Sequence, residues 1–301
     1  MKLYTALIVL SLIWGLSFVF VETIIVTAGV WGTLFLRCIA GALILFPFLL
    51  IKIKKKEMRK ELPWKALVTA GIFNAGLPWG LIALSQTQIT SNTAAVLNAL
   101  TPILTGLIGF IAFSIFLNKQ QWGGILLGFV GILILMNFNL KELFSNNFIG
   151  IGTMILATTC YGFATHFTKR YLNRVNVVIL SFVTLIVGAT IAGIGMMLTE
   201  PMAMVNVMNA NDWKLFVSIF GLGCIGSGVA YLLYYYLINN GGAEFASTVT
   251  YLIPLTALFW GNVLLSEPVS KNLLLGLIAI FFGVYLANRK SRVPNSLKIA
   301  S

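Results

Sequence analysis

Two charged side chains, Glu22 and Arg37, fall inside long apolar stretches. An ionised group at membrane depth is costly and by default marks a functional site with a partner. Glu22 lies about four residues before the end of the first stretch and Arg37 about six after the start of the second. At ~1.5 Å per residue their depths are similar, so we expect them to pair or to share a cavity. Nearer the middle of the spans lie aromatic and lightly polar residues: Trp14, Asn74, Trp79, Asn98, Tyr161, Tyr231, Tyr235, Thr250 and Tyr251. Together these could wall a substrate site of few charges. Tyr231, Tyr234, Tyr235 and Tyr236 crowd one stretch, and helical spacing lets only some of them face inward. The competing reading for each ring is core packing or an interfacial belt.

Pro102 and Pro254 each stand near the middle of an apolar stretch. Proline lacks an N–H and clashes with the carbonyl four residues back, here those of Asn98 and Thr250. A carbonyl freed at that depth must be re-satisfied by a side chain or face a water-filled cavity. The two prolines therefore read either as packing kinks or as gating points beside a cavity. His166, beside Lys169 and Arg170, reads as a solvated or interfacial histidine. Cys38, Cys160 and Cys224 have no disulfide or metal-ligand spacing, and no cofactor or metal is expected.

The elements that must position these residues are membrane helices. The chain of 301 residues is 59% hydrophobic and 9% charged, where soluble domains carry about 25% charge, and its mean hydropathy is +0.96. Segments near 4–26, 31–51, 65–86, 91–117, 121–138, 149–168, 177–198, 213–238, 243–265 and 272–288 each approach the roughly 20 apolar residues that a spanning helix needs. The first is too long for a signal-peptide core and lacks a cleavage site, so it reads as an uncleaved span. With the amino terminus in the cytoplasm, sixteen of the Lys and Arg side chains outside the spans fall on the inner side and three on the outer. The positive-inside rule then puts both termini in the cytoplasm. Seven of those cations lie within 52–65 and four in the tail. The net charge of +12 therefore reports topology and contact with anionic lipid rather than nucleic acid.

The chain repeats itself. A shift of 152 superposes Gly71 on Gly223, Gly76 on Gly228, Gly109 on Gly261, Gly124 on Gly276, Gly131 on Gly283 and Pro102 on Pro254. Chance would supply roughly half of one such glycine match. A shift of 147 brings Trp14-Gly15 onto Tyr161-Gly162 and Gly41-Ala42 onto Gly188-Ala189. Five spans per copy is an odd number, so the second copy must enter the membrane from the opposite side, an architecture of transporters with a midplane site between the halves. The expected fold is an all-α integral membrane protein of ten transmembrane helices in two inverted five-helix repeats. The expected division is 1–138, 149–290 and a basic tail at 291–301.

IWGLSF (13–18), LFLRCIAGALILFPF (34–48), TAAVLNALTPILTGLIGF (93–110) and GLIAIFFGVYL (276–286) resemble the EamA-type transporters of the drug/metabolite transporter superfamily. The resemblance runs from the first span to the last. It implies a ten-helix carrier that moves small organic metabolites, often amino acids. Many relatives carry a Glu at the junction of spans 4 and 5, where this chain reads FLNKQQW (116–122); the second copy keeps it in LSEPVSK (265–271).

The reading that follows is a secondary carrier in the cytoplasmic membrane, an exporter of small metabolites such as amino acids, with a multidrug or other metabolite carrier as the alternative. No Walker A motif is present, so a proton or substrate gradient rather than ATP would drive it. A membrane enzyme would need clustered His, Asp, Glu or Cys at depth, and a channel or scramblase a continuous polar path. GLGCIG (221–226) matches G-x-G-x-x-G but lies inside a span without a preceding strand, so it reads as close helix packing and not as a nucleotide site.

Overall fold

The structure is a computed structural model and describes residues 3–54, 62–114, 118–135, 147–234, 236–237, 240 and 249–287. All regular structure among the described residues is helical: α1 Leu3–Lys54, α2 Trp64–Gln86, α3 Ser91–Asn98, α4 Thr101–Phe113, α5 Lys119–Leu135, α6 Asn147–Tyr171, α7 Val177–Thr199, α8 Ala203–Asn209, α9 Trp213–Tyr234, α10 Val249–Leu265 and α11 Lys271–Ala287. Five described helices are long and apolar enough to cross a membrane, six if the bent pair α3 and α4 forms one span. The tail at 291–301 and most of the cation cluster near 52–65 lie outside the described residues.

A 52-residue helix run straight would be about 78 Å long, far beyond a bilayer. Instead α1 breaks at Gly29, whose φ of 70° and ψ of −173° belong to backbone that glycine adopts freely. Ser17 and Gly41 stand equally far from Gly29 along the chain. A Cβ built on Gly226 would lie 2.9 Å from Ser17 Oγ, and one on Gly41 would lie 3.1 Å from Ser227 Cβ. The two limbs of α1 therefore run back alongside each other against the same point of α9. A single glycine does what a loop was expected to do.

Helix packing depends on missing side chains. A Cβ on Gly15 would meet Thr256 and Ala257, while one on Gly162 would meet Leu104 and Thr105. Gly41 faces Ser227 and Leu185, while Gly188 faces Ala75 and Cys38; Gly76 faces Ile191, while Gly228 faces Ile44. Between α5 and α11, Gly131 lies at the Gly276 carbonyl and Gly283 at the Gly124 carbonyl. Under the sequence shifts of 147 and 152 every one of these contacts turns into its neighbour in the sentence. Small residues let backbones approach where lipid offers no hydrophobic drive between helices.

The matched positions also share a rarer feature. Both α2 and α9 widen into π turns, at Ile72–Gly76 and Gly221–Val229, and the shift of 152 carries the first onto residues inside the second. The GLGCIG stretch is thus an in-helix distortion of a kind that gathers at functional sites. The prolines differ in outcome. Near Pro102 the chain bends by 47° between α3 and α4, and Thr101 Oγ1 donates to the Asn98 carbonyl at 2.7 Å. Pro254 sits inside the unbroken α10. A short helix absent from the sequence reading, α8, packs Ala203 and Met204 against Gly32.

Gly29→Ala places a Cβ 2.5 Å from the Glu200 carboxyl carbon on left-handed backbone. It is expected to cost about 1–3 kcal/mol and to lower the detergent-solubilised melting temperature by several degrees. Gly123→Ala meets nothing within 4 Å and should leave it unchanged. Equal melting curves for the two variants would contradict the fold-back.

Candidate functional site

The widened turn of α9 organises the centre of the bundle. Trp14, on the first limb of α1, donates its indole N–H to the Gly226 carbonyl at 3.1 Å, and its ring lies 5.4 Å from that of Tyr234. Arg37, on the second limb, donates Nε–H to Ser227 Oγ at 2.9 Å. Its guanidinium carbon sits 3.7 Å from the centroid of the Trp79 ring, a desolvated cation–π contact. Tyr161 stands beside both the Trp79 indole and Arg37, and Tyr231 also faces Arg37. The structure thus brings Trp79, Tyr161 and Tyr231 around one cation, with Trp14 bonded to the residue before that cation's partner Ser227.

These groups lie deep, yet Trp14, Arg37, Tyr161, Tyr231 and Tyr234 each keep part of their surface accessible. Trp79 is 6% exposed. Asn98 is partly accessible although residues 94–97 and 99–100 around it are buried, and Asn74 and Thr250 are also half-buried. Tyr235 and the side chains of Pro102 and Tyr251 lie outside the described residues.

Glu22 and Arg37 take different partners. The Ser91 N–H donates to Glu22 Oε2 at 3.2 Å, while Arg37 turns to α9 and α2. Counting from the ends of the first two apolar stretches gave both residues similar depth. It gave no azimuth, and rotation about the helix axis aims them at different neighbours.

The first turn of α3 collects a second carboxylate, one that was not among the expected site residues. Glu267 is 7% exposed. Its Oε1 accepts from the Ser91 N–H at 2.9 Å and from Ser91 Oγ at 2.9 Å, and its Oε2 accepts from the Asn92 N–H at 2.9 Å. Glu22 and Glu267 thus converge on one backbone N–H. Asn92, 1% exposed, has no hydrogen-bond partner for either amide atom among the described residues. Glu200 plays a similar part after the turn of α1: it accepts from the N–H groups of Val30, Trp31 and Gly32 at 2.8, 2.9 and 3.0 Å. The first N–H groups of a helix lack intrahelical partners and carry its positive dipole end, so both carboxylates complete a helix start from a remote segment. No sequence spacing links Glu200 to Val30 or Glu267 to Ser91; the only hint was the Glu retained in LSEPVSK.

His166 Nε2 lies 3.0 Å from the Thr105 carbonyl, and the ring packs 5.2 Å from Phe113. It is half-buried and bonded to backbone rather than solvated. A separate open hollow, lined by Leu127, Ile134, Leu275 and Phe282, is almost wholly apolar and matches lipid chains better than a substrate with polar groups.

Comparison with known proteins gives a family for the chain. The model of the EamA-like transporter family matches residues 1–137 and 148–289. The chain is 27% identical to an uncharacterized transporter of Archaeoglobus fulgidus over 96% of this chain and 100% of the relative. It is 28% identical to the uncharacterized inner membrane transporter YedA of Escherichia coli, over 95% and 90%, and 23% identical to the uncharacterized transporter YoaV of Bacillus subtilis, over 95% and 96%. A solved crystal structure superposes with a TM-score of 0.62 at 15% identity, covering 95% of this chain and 96% of that one, a likeness of fold alone.

Glu267→Gln removes the charge from three hydrogen bonds at the start of α3. Charge-assisted bonds of this kind are worth ~1.5–3 kcal/mol each, so a clear drop in detergent melting temperature is expected. Asp212→Asn, at the exposed start of α9, should shift it far less. Similar shifts for both would remove the special standing of the buried cap.

Proposed function

The chain belongs to the EamA-like transporter family, and from that premise we propose a secondary carrier that exports small organic metabolites such as amino acids across the cytoplasmic membrane by alternating access. One observation carries this reading: a partly accessible aromatic and polar cluster deep in the bundle, contributed by both halves of the chain. Trp14 and Tyr161 are equivalent under the shift of 147, and Trp79 and Tyr231 under the shift of 152. Substrate sites of carriers lie at the midplane between such halves.

In this reading the chain crosses the membrane ten times, as inverted five-helix halves at 1–138 and 149–290. Both termini, with the basic tail at 291–301, lie in the cytoplasm. The exchange of glycine contacts between α5 and α11, and between the α1 limbs and their counterparts, supports a two-fold relation. The paired π turns give each half a point at which a helix can change its winding without breaking. Trp14, Asn74, Trp79, Asn98, Tyr161, Tyr231, Tyr235, Thr250 and Tyr251 form the substrate lining, and Pro102 and Pro254 the flexing points. A multidrug carrier of the same fold is the second reading; a channel or scramblase is a third.

The gradient that drives export is a proton or substrate gradient. Glu22 and Glu267 meeting at the Ser91 N–H supply a place where a proton can be taken up and released, since intramembrane carboxylates mark proton relays.

Reconstituted protein loaded with unlabelled amino acid should accumulate labelled substrate by counterflow, with saturable kinetics. Strictly linear flux would sink the carrier reading in favour of a channel. Glu22→Gln is expected to retain counterflow while losing most of the response of net efflux to an imposed pH gradient. Full retention of that response would exclude Glu22 from proton coupling.

A further inference from the structure

Arg37 is a cation in the centre of a membrane bundle, and every partner it has among the described residues is uncharged. Ser227 Oγ takes its Nε–H, the Trp79 ring covers one face, and the ionisable groups facing it are the phenols of Tyr161 and Tyr231 and the thiol of Cys38. Removing a guanidinium from water without a counter-charge costs several kcal/mol. Glu22, the acid at comparable depth, is engaged at α3 instead. A guanidinium has five N–H donors in a planar fork, and among the described residues one of them is bonded. The terminal nitrogens have no hydrogen-bond partner among the described residues. Arg37 also retains accessible surface at this depth, beside Tyr161 and Tyr231.

We infer that Arg37 receives the carboxylate of the transported molecule. This rests on the carrier reading above and narrows it to carboxylate-bearing substrates. A planar two-oxygen anion matches the fork with two parallel hydrogen bonds. One cation among neutral neighbours fits a single negative charge, whereas a phosphate dianion would leave charge uncompensated in a low-dielectric site. A cationic drug would meet like charge, which sets this substrate class apart from a carrier of amphipathic cations. The rings of Trp14, Trp79, Tyr161 and Tyr231 then contact the apolar body of the substrate. Arg37 also breaks the match between the halves: its counterpart under the shift of 147 is Thr184, buried and with a hydroxyl that has no partner among the described residues. The site therefore has a direction, with the acid end held at α1 and α9.

The test uses the full chain, purified, in thermal-shift binding and in proteoliposome counterflow. The probes are matched sets built on the phenylalanine and leucine skeletons: the amino acid, its deaminated acid, its decarboxylated amine and its amide. Stabilisation by acid-bearing members, with amine and amide weaker by about tenfold or more, is the expected result. Arg37→Gln should lose that preference and Arg37→Lys should restore part of it. An amine or amide that binds as well as its acid overturns the inference, as does a probe set in which no acid binds; neither depends on the variants folding. The carrier reading fails separately, if bound probes cross only with linear, non-exchanging flux. Saturable counterflow of an amine with no acid preference would retain the carrier and discard the role of Arg37.

Discussion

A backbone N–H or C=O left bare in hydrocarbon costs several kcal/mol, and the way this chain meets that demand shapes the rest of it. Within a helix the demand is met locally. At a helix start it is not, and two starts inside the bundle are completed by carboxylates from elsewhere: Glu200 at Val30–Gly32 and Glu267 at Ser91 and Asn92. Each bond set joins segments about 170 residues apart. The carboxylates thus do two things at once: they satisfy orphan donors and they tie the second half of the chain to the first at the end of the bundle where α1 turns back. Moving those segments apart would expose both the anion and the donors, so the ties also set what any opening at that end must overcome.

With the ends tied, close approach along the helices depends on glycine. The contacts of Gly15, Gly41, Gly76 and Gly131 have their counterparts at Gly162, Gly188, Gly228 and Gly283. Packing of this kind has little tolerance: a Cβ on Gly228 would collide with Ile44. A rigid scaffold then needs some compliant element if it is to move, and the π turns of α2 and α9 are where the regular hydrogen-bond ladder is already relaxed. The two indole and guanidinium contacts at the centre, Trp14 to Gly226 and Arg37 to Ser227, both end on the second of those turns. A change in winding there would be felt directly by the candidate site.

Much of this was legible in the sequence because it is one-dimensional. Hydropathy gives helices, the glycine and proline matches give the duplication, and counting from the ends of the first two apolar stretches gives Glu22 and Arg37 similar depth. Direction around a helix is not one-dimensional. The sequence allowed Glu22 and Arg37 to pair or to share a cavity; in the structure α1 turns Glu22 toward α3 and Arg37 toward α9. Long-range caps are equally hidden, because Glu200 and Glu267 sit in short connections whose partners are set only by packing. The freed carbonyl at Asn98 shows the opposite case: Thr101, three residues on, satisfies it locally. The sequence reading allowed both a satisfied kink and a cavity-facing carbonyl, and that bond answers the carbonyl's own need while Asn98 stays partly accessible.

What the duplication cannot supply is polarity, and a carrier that handles one chemical group needs it. A strictly two-fold site offers a substrate two equivalent orientations. Here the aromatic walls come in matched pairs, Trp14 with Tyr161 and Trp79 with Tyr231, while the ionic groups do not. Arg37 corresponds to Thr184, Glu22 to Lys169 and Glu267 to Ile115. In the proposed carrier the shared residues would give walls alike from both halves, and the unshared ones would orient the occupant. Glycines and aromatics recur in both copies, whereas Arg37, Glu22 and Glu267 have no counterpart of the same charge in the other copy.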